Sequence, residues 1–462
     1  MAKVGCHALT ERLSPTEAKL PVSLTTHACE LKLPDVWLRF ISFAFVYGSA
    51  GLHSAERISC DRTEGLGERK KTMSNKLYSK RWLAQIVALA ALVAANHAPA
   101  FGQDIQYRED PDAAKRMTLL LKDWNPTPML HVPAHEVPRA KFYVIDVHNH
   151  VNDAGGVHGA DVPASDVVKG MDQANVRKIV ILTGMWGEKL QGVLDKMMKP
   201  YPDRFVVFAQ MDWSKIDDPN FSAEMVAQLD DAVKRGARGL KVLKDWGLGV
   251  KDKSGKLVPI DDPRMDPVWE ECGRLGIPVA IHSTDPEAFF TPTDAKNERY
   301  EELMRNPSWS FYGASFPTKQ KLLEERNHIV AKHPNTTFMA LHVANWPENL
   351  DAVSEWLRKY PNMYVEFGAR EAELGRQPRR AAKFFAEFQD RILFGTDSEP
   401  VPEMYANYFR WLETGDEYFP YWDYPGQGRW MIYGMELPDS ILEKVYHKNA
   451  EKIFAMYHGD KR

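Results

Sequence analysis

The chain has 462 residues, of which 44% are hydrophobic and 26% charged, with a formal net charge of −4 and four cysteines. That length allows two or three average domains, or one large barrel with extensions. The acidic balance excludes a nucleic-acid-coating protein or a polybasic membrane-surface protein, and no zinc-finger spacing, P-loop, dinucleotide fingerprint or internal repeat is present.

The chain begins with 72 residues that lack periodicity apart from an aromatic run at 40–47. A secretory-signal pattern then starts at Met73, with Lys76, Lys80 and Arg81 as its basic start, an apolar run at 82–95, and Ala98-Pro99-Ala100 as a small-residue cleavage site. The apolar run is shorter than the roughly 20 residues a membrane span needs. The expectation is therefore a signal peptide over 73–100 and a periplasmic or secreted mature protein starting near Phe101, without stable membrane insertion. A retained anchoring helix is the alternative. Residues 1–72 are expected to be an unstructured extension, explained by a mis-assigned start or by a second export element around 40–52.

Cys6, Cys29 and Cys60 lie upstream of the cut, so the mature chain keeps Cys272 alone and has no internal disulfide. Residues 1–100 hold 13 Lys/Arg and 8 Asp/Glu of the chain's 59 and 63, which leaves 46 against 55 and a mature net charge near −9. Stability must come from a large apolar core and from a metal, if one is bound.

After a polar lead-in over 101–140, short apolar runs alternate with helical patterns. Strands are expected at 143–147, 178–182, 205–211, 239–243, 278–281, 337–341, 363–367 and 392–394. Helices are expected at 222–235, 267–275, 319–332, 347–358 and 378–388, with a last one at 440–456. Short continuous apolar runs suit strands covered on both faces. Eight βα units over 141–462 predict an α/β fold, a (β/α)₈ barrel with loop insertions. An open doubly wound sheet would gather its ligand at one switch point fed by few strands. Two aromatic-rich insertions, 283–318 and 416–433, should overlie the face where βα loops converge, as pocket walls or as packed loops.

Four of the strand runs end on an imidazole or a carboxylate: His148 and His150, His282, His342, and Asp397. In a parallel barrel those ends converge on the catalytic face. An HxH pair alone is a weak signal, but imidazoles two apart on a strand point the same way and suit one divalent ion at roughly 2.0–2.1 Å. With His282 and Asp397 at other strand ends, the set reads as a metal site. His342 then polarises a carbonyl or protonates a leaving group, unless it is a core histidine bonded to backbone. His158, His328, His333 and His447 fall in loops or helices and read as surface or structural, and Cys272 reads as a buried structural thiol on a helix.

The pieces Ile145-Asp-Val-His-Asn-His150, Gly236-Ala-Arg-Gly-Leu-Lys241, His282, His342 and Phe394-Gly-Thr-Asp397 resemble the amidohydrolase superfamily. The nearest branch is the amidohydrolase-related group that includes aminocarboxymuconate-semialdehyde and resorcylate-type decarboxylases. The resemblance spans roughly 143–456 and implies one divalent metal, zinc in the first place and manganese as the alternative, held by His148, His150, His282 and Asp397. It casts His342 as the acid/base or substrate-orienting group. Binuclear relatives bridge two metals with a carboxylated strand-four lysine. Lys241 and Lys244 are both present here, and strand alternation puts them on opposite faces. Lys241 is instead a candidate charge partner for Glu366, or a substrate-binding group.

The expected activity is hydrolysis of a C–N (amide) or ester/lactone bond in a small molecule by metal-activated water, with Asp397 as ligand and proton acceptor. Non-oxidative decarboxylation on the same barrel is the alternative. A non-catalytic binding barrel would require a lost ligand, and all four are present. Arg370, after strand seven, binds a substrate carboxylate or forms a structural ion pair. A homo-oligomer is compatible with the sequence.

Overall fold

The computed structural model describes residues 111–152 and 161–457. It divides into two units, Met1–Trp124 and Asn125–Arg462. Of the first, the described part is a turn of helix at Ala113–Arg116 and a 3₁₀ turn at Leu121–Asp123. The signal-peptide residues 73–100, the stretch 1–72 and His158 lie outside the described residues. Among the described residues, no helix is long and apolar enough to cross a membrane.

The second unit is an eight-stranded parallel barrel. Its strands are β1 (Val144–Asn149), β2 (Val176–Ile181), β3 (Phe205–Val207), β4 (Leu240–Val242), β5 (Val279–Ile281), β6 (Phe338–Ala340), β7 (Met363–Glu366) and β8 (Ile392–Leu393). Parallel ladders join β1 to β3 and β4 to β8. A parallel bridge from Ala209 to Leu240 connects the two groups, and Val147 N donates to Phe394 O at 2.9 Å to close β8 against β1. The expected third strand at 205–211 is thus shorter: its ladder stops at Val207, and Ala209 touches β4 through the bridge. The open-sheet alternative fails on that closure.

Alternation sorts each strand into two layers. Ile145, Val147, Val180, Leu182, Phe208, Met339 and Tyr364 pack inside the barrel, against Ala450 and Ile453 of the last helix. Val144, Ile179, Val207, Leu240, Val242, Val279 and Val365 face outward and meet the surrounding helices. Each fully buried aliphatic side chain of this kind contributes about 1.5–3 kcal/mol. The helices that cover the barrel include Phe221–Arg235, Asp266–Leu275, Lys319–Lys332, Leu350–Lys359 and Pro378–Glu387, within three residues of each expected boundary. The last helix, expected at 440–456, runs over 439–454 with helical backbone at both ends of an inserted π-turn. A π-turn at Lys444–Lys448 separates Asp439–Glu443 from Asn449–Phe454. Val445 O in that turn accepts from Phe394 N, which ties the end of β8 to the helix.

A candidate metal centre at the mouth of the barrel

β1 is irregular where it matters. Its register against β2 shifts between Asp146 and Asn149, and such bulges re-aim side chains at barrel rims. His148 and His150 turn their Nε2 atoms to within 3.2 Å of each other. Asp397 Oδ1 stands 3.3 Å from His148 Nε2 and 3.1 Å from His150 Nε2. Atoms bound about 2.0–2.1 Å from a tetrahedral ion are about 3.3 Å apart. The three atoms therefore have the spacing of one face of a coordination tetrahedron.

The protonation states fit as well. Burial pushes the His148 imidazole well below its usual range, so it is neutral. Burial acts against the Asp397 carboxylate, yet the neighbouring His148 and His150 hold it well below the carboxylate range. A cation needs neutral imidazole and ionised carboxylate ligands. His150 Nδ1 is fixed by Thr183 Oγ1 at 3.0 Å, the kind of outer contact that orients a ligating ring.

Asp397 reaches the triangle through a backbone twist. Its φ is 52°, and its amide donates to His148 O at 2.8 Å. Asp146 couples the same two strands: it accepts from Thr396 N at 3.1 Å, Thr396 Oγ1 at 2.8 Å and Tyr405 OH at 2.9 Å. Its carboxyl is pushed up to about 6 by burial. Gly395 permits the approach, because a Cβ there would collide with Glu366 Oε2 and stand 2.9 Å from His148 Cβ.

The next layer is built from β6 and β7. His342, Val343, Ala344 and Asn345 all have positive φ, 56°, 56°, 52° and 59°. Four such residues in a row, one of them β-branched, form a strained left-handed turn, and strain of this kind clusters at functional sites. Glu366 pins the turn: its Oε1 accepts from His342 N at 2.6 Å, and its Oε2 accepts from Gly368 N. Glu366 Oε1 is also 3.1 Å from His148 Nδ1, although that contact lacks hydrogen-bond alignment. His342 Nδ1 donates to Gly368 O at 2.7 Å, and its Nε2 has no hydrogen-bond partner and lies 3.8 Å from Asp397 Oδ2. Burial holds the His342 ring well below its usual range.

The other expected site residues are placed as follows. The His282 ring meets His342 edge-on, 4.4 Å between centroids, with its Nε2 3.2 Å from Asp285 Oδ1. It does not join the His148–His150–Asp397 group. Asp285 is held by Lys244 Nζ at 2.5 Å, and that ammonium keeps the carboxylate ionised against the effect of burial. Lys241 lies inside the barrel with no hydrogen-bond partner, and burial lowers its ammonium to about 8. Lys241 and Glu366 act on each other through charge, as expected, without a direct contact. Glu366 spends its oxygens on backbone amides instead, and burial raises its carboxyl to about 7. Lys244 lies beyond the end of β4 in a helical conformation, so strand alternation does not govern its direction.

Sequence reasoning missed Asp146, Thr183 and Asp285. Asp146 alternates with His148 and His150 along β1, which was a usable signal; the other two had none. Three of the histidines expected to be surface or structural are described. His333 is buried 2.9 Å from Asp266, the His447 ring stacks 3.8 Å from that of Tyr143, and His328 is an exposed partner of Asp261. Cys272 is buried, and burial pushes its thiol up.

A cavity of about 1320 Å³ opens over these residues. Both aromatic-rich insertions line it, the first through Phe289 and Trp309 and the second through Trp422 and Gln427.

No curated protein sequence matches the chain. Among solved structures, an uncharacterised TIM-barrel protein from Bordetella bronchiseptica is 17% identical, with 68% of this chain and 99% of that chain covered and a TM-score of 0.41. A 2,6-dihydroxybenzoate decarboxylase is 15% identical, with coverage of 68% and 99% and a TM-score of 0.43. An amidohydrolase from Burkholderia multivorans with bound zinc is 12% identical, with coverage of 68% and 99% and a TM-score of 0.38. The amidohydrolase family model matches residues 145–456, from the strand that carries the paired histidines to the last helix, and the chain belongs to that family.

Proposed function

We propose that this protein is a metal-dependent hydrolase that cleaves a C–N (amide), ester or lactone bond of a small molecule with water. His148, His150 and Asp397 would hold one divalent cation, zinc first and manganese second. His282 is the candidate fourth ligand, although its Nε2 is directed at Asp285. A cation bound there supplies Lewis acidity and acidifies water near neutral pH.

One observation carries the choice of hydrolysis. His342 donates its Nδ1 proton to Gly368 O, so the neutral ring keeps its lone pair on Nε2, the atom left without a partner. Asp397 is the second proton acceptor beside it. A pair of acceptors suits removal of a proton from attacking water, and the His342 imidazolium so formed can return that proton to the leaving group. Phe289, Trp309 and Trp422 line the cavity beside these acceptors.

A second reading, decarboxylation, is favoured by Glu371. It lines the same cavity, and burial pushes its carboxyl up to about 7, so it can deliver a proton to carbon in place of CO₂. The test is a panel of amides, esters, lactones and aromatic acids turned over in ¹⁸O-labelled water. Label in the product supports hydrolysis; unlabelled product with stoichiometric CO₂ moves the enzyme to the carboxy-lyases.

Export is also proposed, on the signal pattern at 73–100. N-terminal sequencing of protein from its native host should start near Phe101, and an intact Met1 terminus would end that proposal.

A further inference from the structure

One helix outside the barrel sends two buried cations toward its mouth. Lys319 is the first residue of the helix Lys319–Lys332 and is 7% exposed, and Arg326 on the same helix is fully buried. The two are about two helical turns apart, so both leave the same face. Arg326 Nη1 donates to Ala344 O at 3.0 Å. Lys319 Nζ donates to Asn345 O at 2.8 Å and to Asp285 O at 2.6 Å, both backbone carbonyls.

This is an unfavourable place for an ammonium. The first turn of a helix carries the positive end of its dipole, which disfavours a cation, and taking a cation out of water is costly unless its donors are satisfied. Burial lowers the Lys319 ammonium to about 8 and the charge of Glu348 opposes that fall, so it stays charged at neutral pH. What distinguishes the position is the pair of segments that it joins.

Asp285 follows His282 in the loop after β5, and Asn345 ends the left-handed turn that begins at His342. The same two segments meet again through side chains, because Asn345 Oδ1 accepts from Ser283 N and from Ser283 Oγ, each at 3.1 Å. Lys319, Asn345, Ser283 and Asp285 thus close a ring of contacts between the segment of His282 and that of His342. The two imidazoles meet edge-on beside it, 4.4 Å between centroids. A turn with positive φ at four consecutive residues does not hold its shape by local preference, so contacts from outside must impose it. The other cavity cations do not span these segments. Lys244 is paired with the Asp285 carboxylate, and Arg370 lines the cavity and donates to the carbonyl of its own neighbour Ala369 at 2.7 Å.

We infer that Lys319 is a positioning residue: by tying the loop after β5 to the turn after β6, it sets where His342 Nε2 stands relative to His282 and the reacting atoms. Its effect on turnover rests on the reading of His342 as proton acceptor. The placement of the two rings does not depend on which bond is broken.

The test compares wild type with Lys319→Met, which keeps a side chain of similar length and removes the donors, in the full zinc-loaded chain labelled with ¹⁵N-histidine. Histidine ¹⁵N spectra report which ring nitrogen of His342 carries the proton, its signal being identified by its loss in His342→Gln. Wild type should show the Nδ1–H tautomer in a single conformation, and Lys319→Met should broaden or split that signal. With a compound of the substrate panel, kcat should fall roughly 10- to 100-fold while KM stays within about twofold, since misplacement of a reacting group acts on the rate. Zinc content should be unchanged. Should Lys319→Met fail to fold, Ser283→Ala opens the same ring at its other contact and should show the same pattern with kcat down roughly threefold, the worth of one neutral hydrogen bond. An unchanged His342 signal and kcat in whichever variant folds, with only the unfolding temperature lowered, overturns the inference. A loss confined to KM, or a loss of zinc, overturns it too. Where no panel compound turns over, the His342 signal decides alone. Failure of the hydrolase reading shows separately, as product without ¹⁸O label while the His342 signal still depends on Lys319.

Discussion

The two sides of the barrel mouth are built on opposite plans. On the β8–β1 side, His148, His150 and Asp397 bring three ligand atoms within 3.1–3.3 Å of one another, beside a glycine whose Cβ would press on Glu366 and His148. On the β5–β7 side the groups are spread out: the His282–Asp285–Lys244 chain, the left-handed turn at His342, and Arg370 on its own turn. The first arrangement fits a single small ion. The second fits something larger and variable, a substrate. The difference teaches that one strand pair can fix the chemistry while the opposite strands and their loops set what is processed.

The largest effect expected from breaking this division is at Asp397, which serves both sides. Asp397→Asn should lower kcat by roughly 10³-fold or more, since ligand and proton acceptor are lost together, even where some metal remains. Steady-state kinetics beside metal analysis of the same sample would show it. A variant with metal bound and near-normal kcat would remove Asp397 from the chemistry. His342→Gln should be next, with kcat down roughly 10²–10⁴-fold and metal content unchanged. If metal is lost instead, His342 belongs to the ion-binding side and the division is drawn in the wrong place.

Those two residues were legible in the sequence because apolar strand runs end on them, and a strand end on a barrel's C-terminal face has a defined destination. Seven of the eight strands ran close to their expected bounds for the same reason, since residues covered on both faces leave a continuous apolar trace. Asp285 left no trace, because a carboxylate in the irregular loop after β5 looks like any solvated turn. The strained turn at 342–345 was equally hidden: Val343 in a left-handed conformation goes against its own preference, and tertiary contacts from Glu366 impose it. Lys241 and Glu366 do act on each other through charge, but sequence gives the strand of each without showing that backbone amides had already taken the carboxylate.

A smaller effect should sharpen the structural contrast. Gly395→Ala puts a methyl against Glu366 and His148, and overpacking of this kind costs about 1–3 kcal/mol. Denaturant unfolding should report that loss together with weakened metal binding. An unchanged midpoint would mean that the close approach at Gly395 is not needed to seat Asp397.

The smallest effect concerns pH on the substrate side. Burial raises the Glu371 carboxyl from its ordinary 4.5 to about 7 in the folded protein, so the native state holds this proton more tightly than the unfolded chain does. The stabilisation it brings is fully present below the unfolded value and is lost as pH rises through about 7. Its size is on the order of 3 kcal/mol at most. Glu371→Gln removes the titration, so the fall in unfolding free energy between pH 5 and pH 8 should be shallower in the variant than in wild type. Parallel pH profiles of stability would contradict the assignment.

The central claim is that His148, His150 and Asp397 form one cation site on which activity depends. Elemental analysis of purified wild type and His150→Ala, followed by re-addition of zinc or manganese to chelator-stripped protein, tests it directly. About one divalent ion per wild-type chain is expected, little or none in His150→Ala, and turnover restored to stripped wild type in proportion to added metal. Full turnover in stripped wild type, or an undiminished ion in His150→Ala, would contradict it.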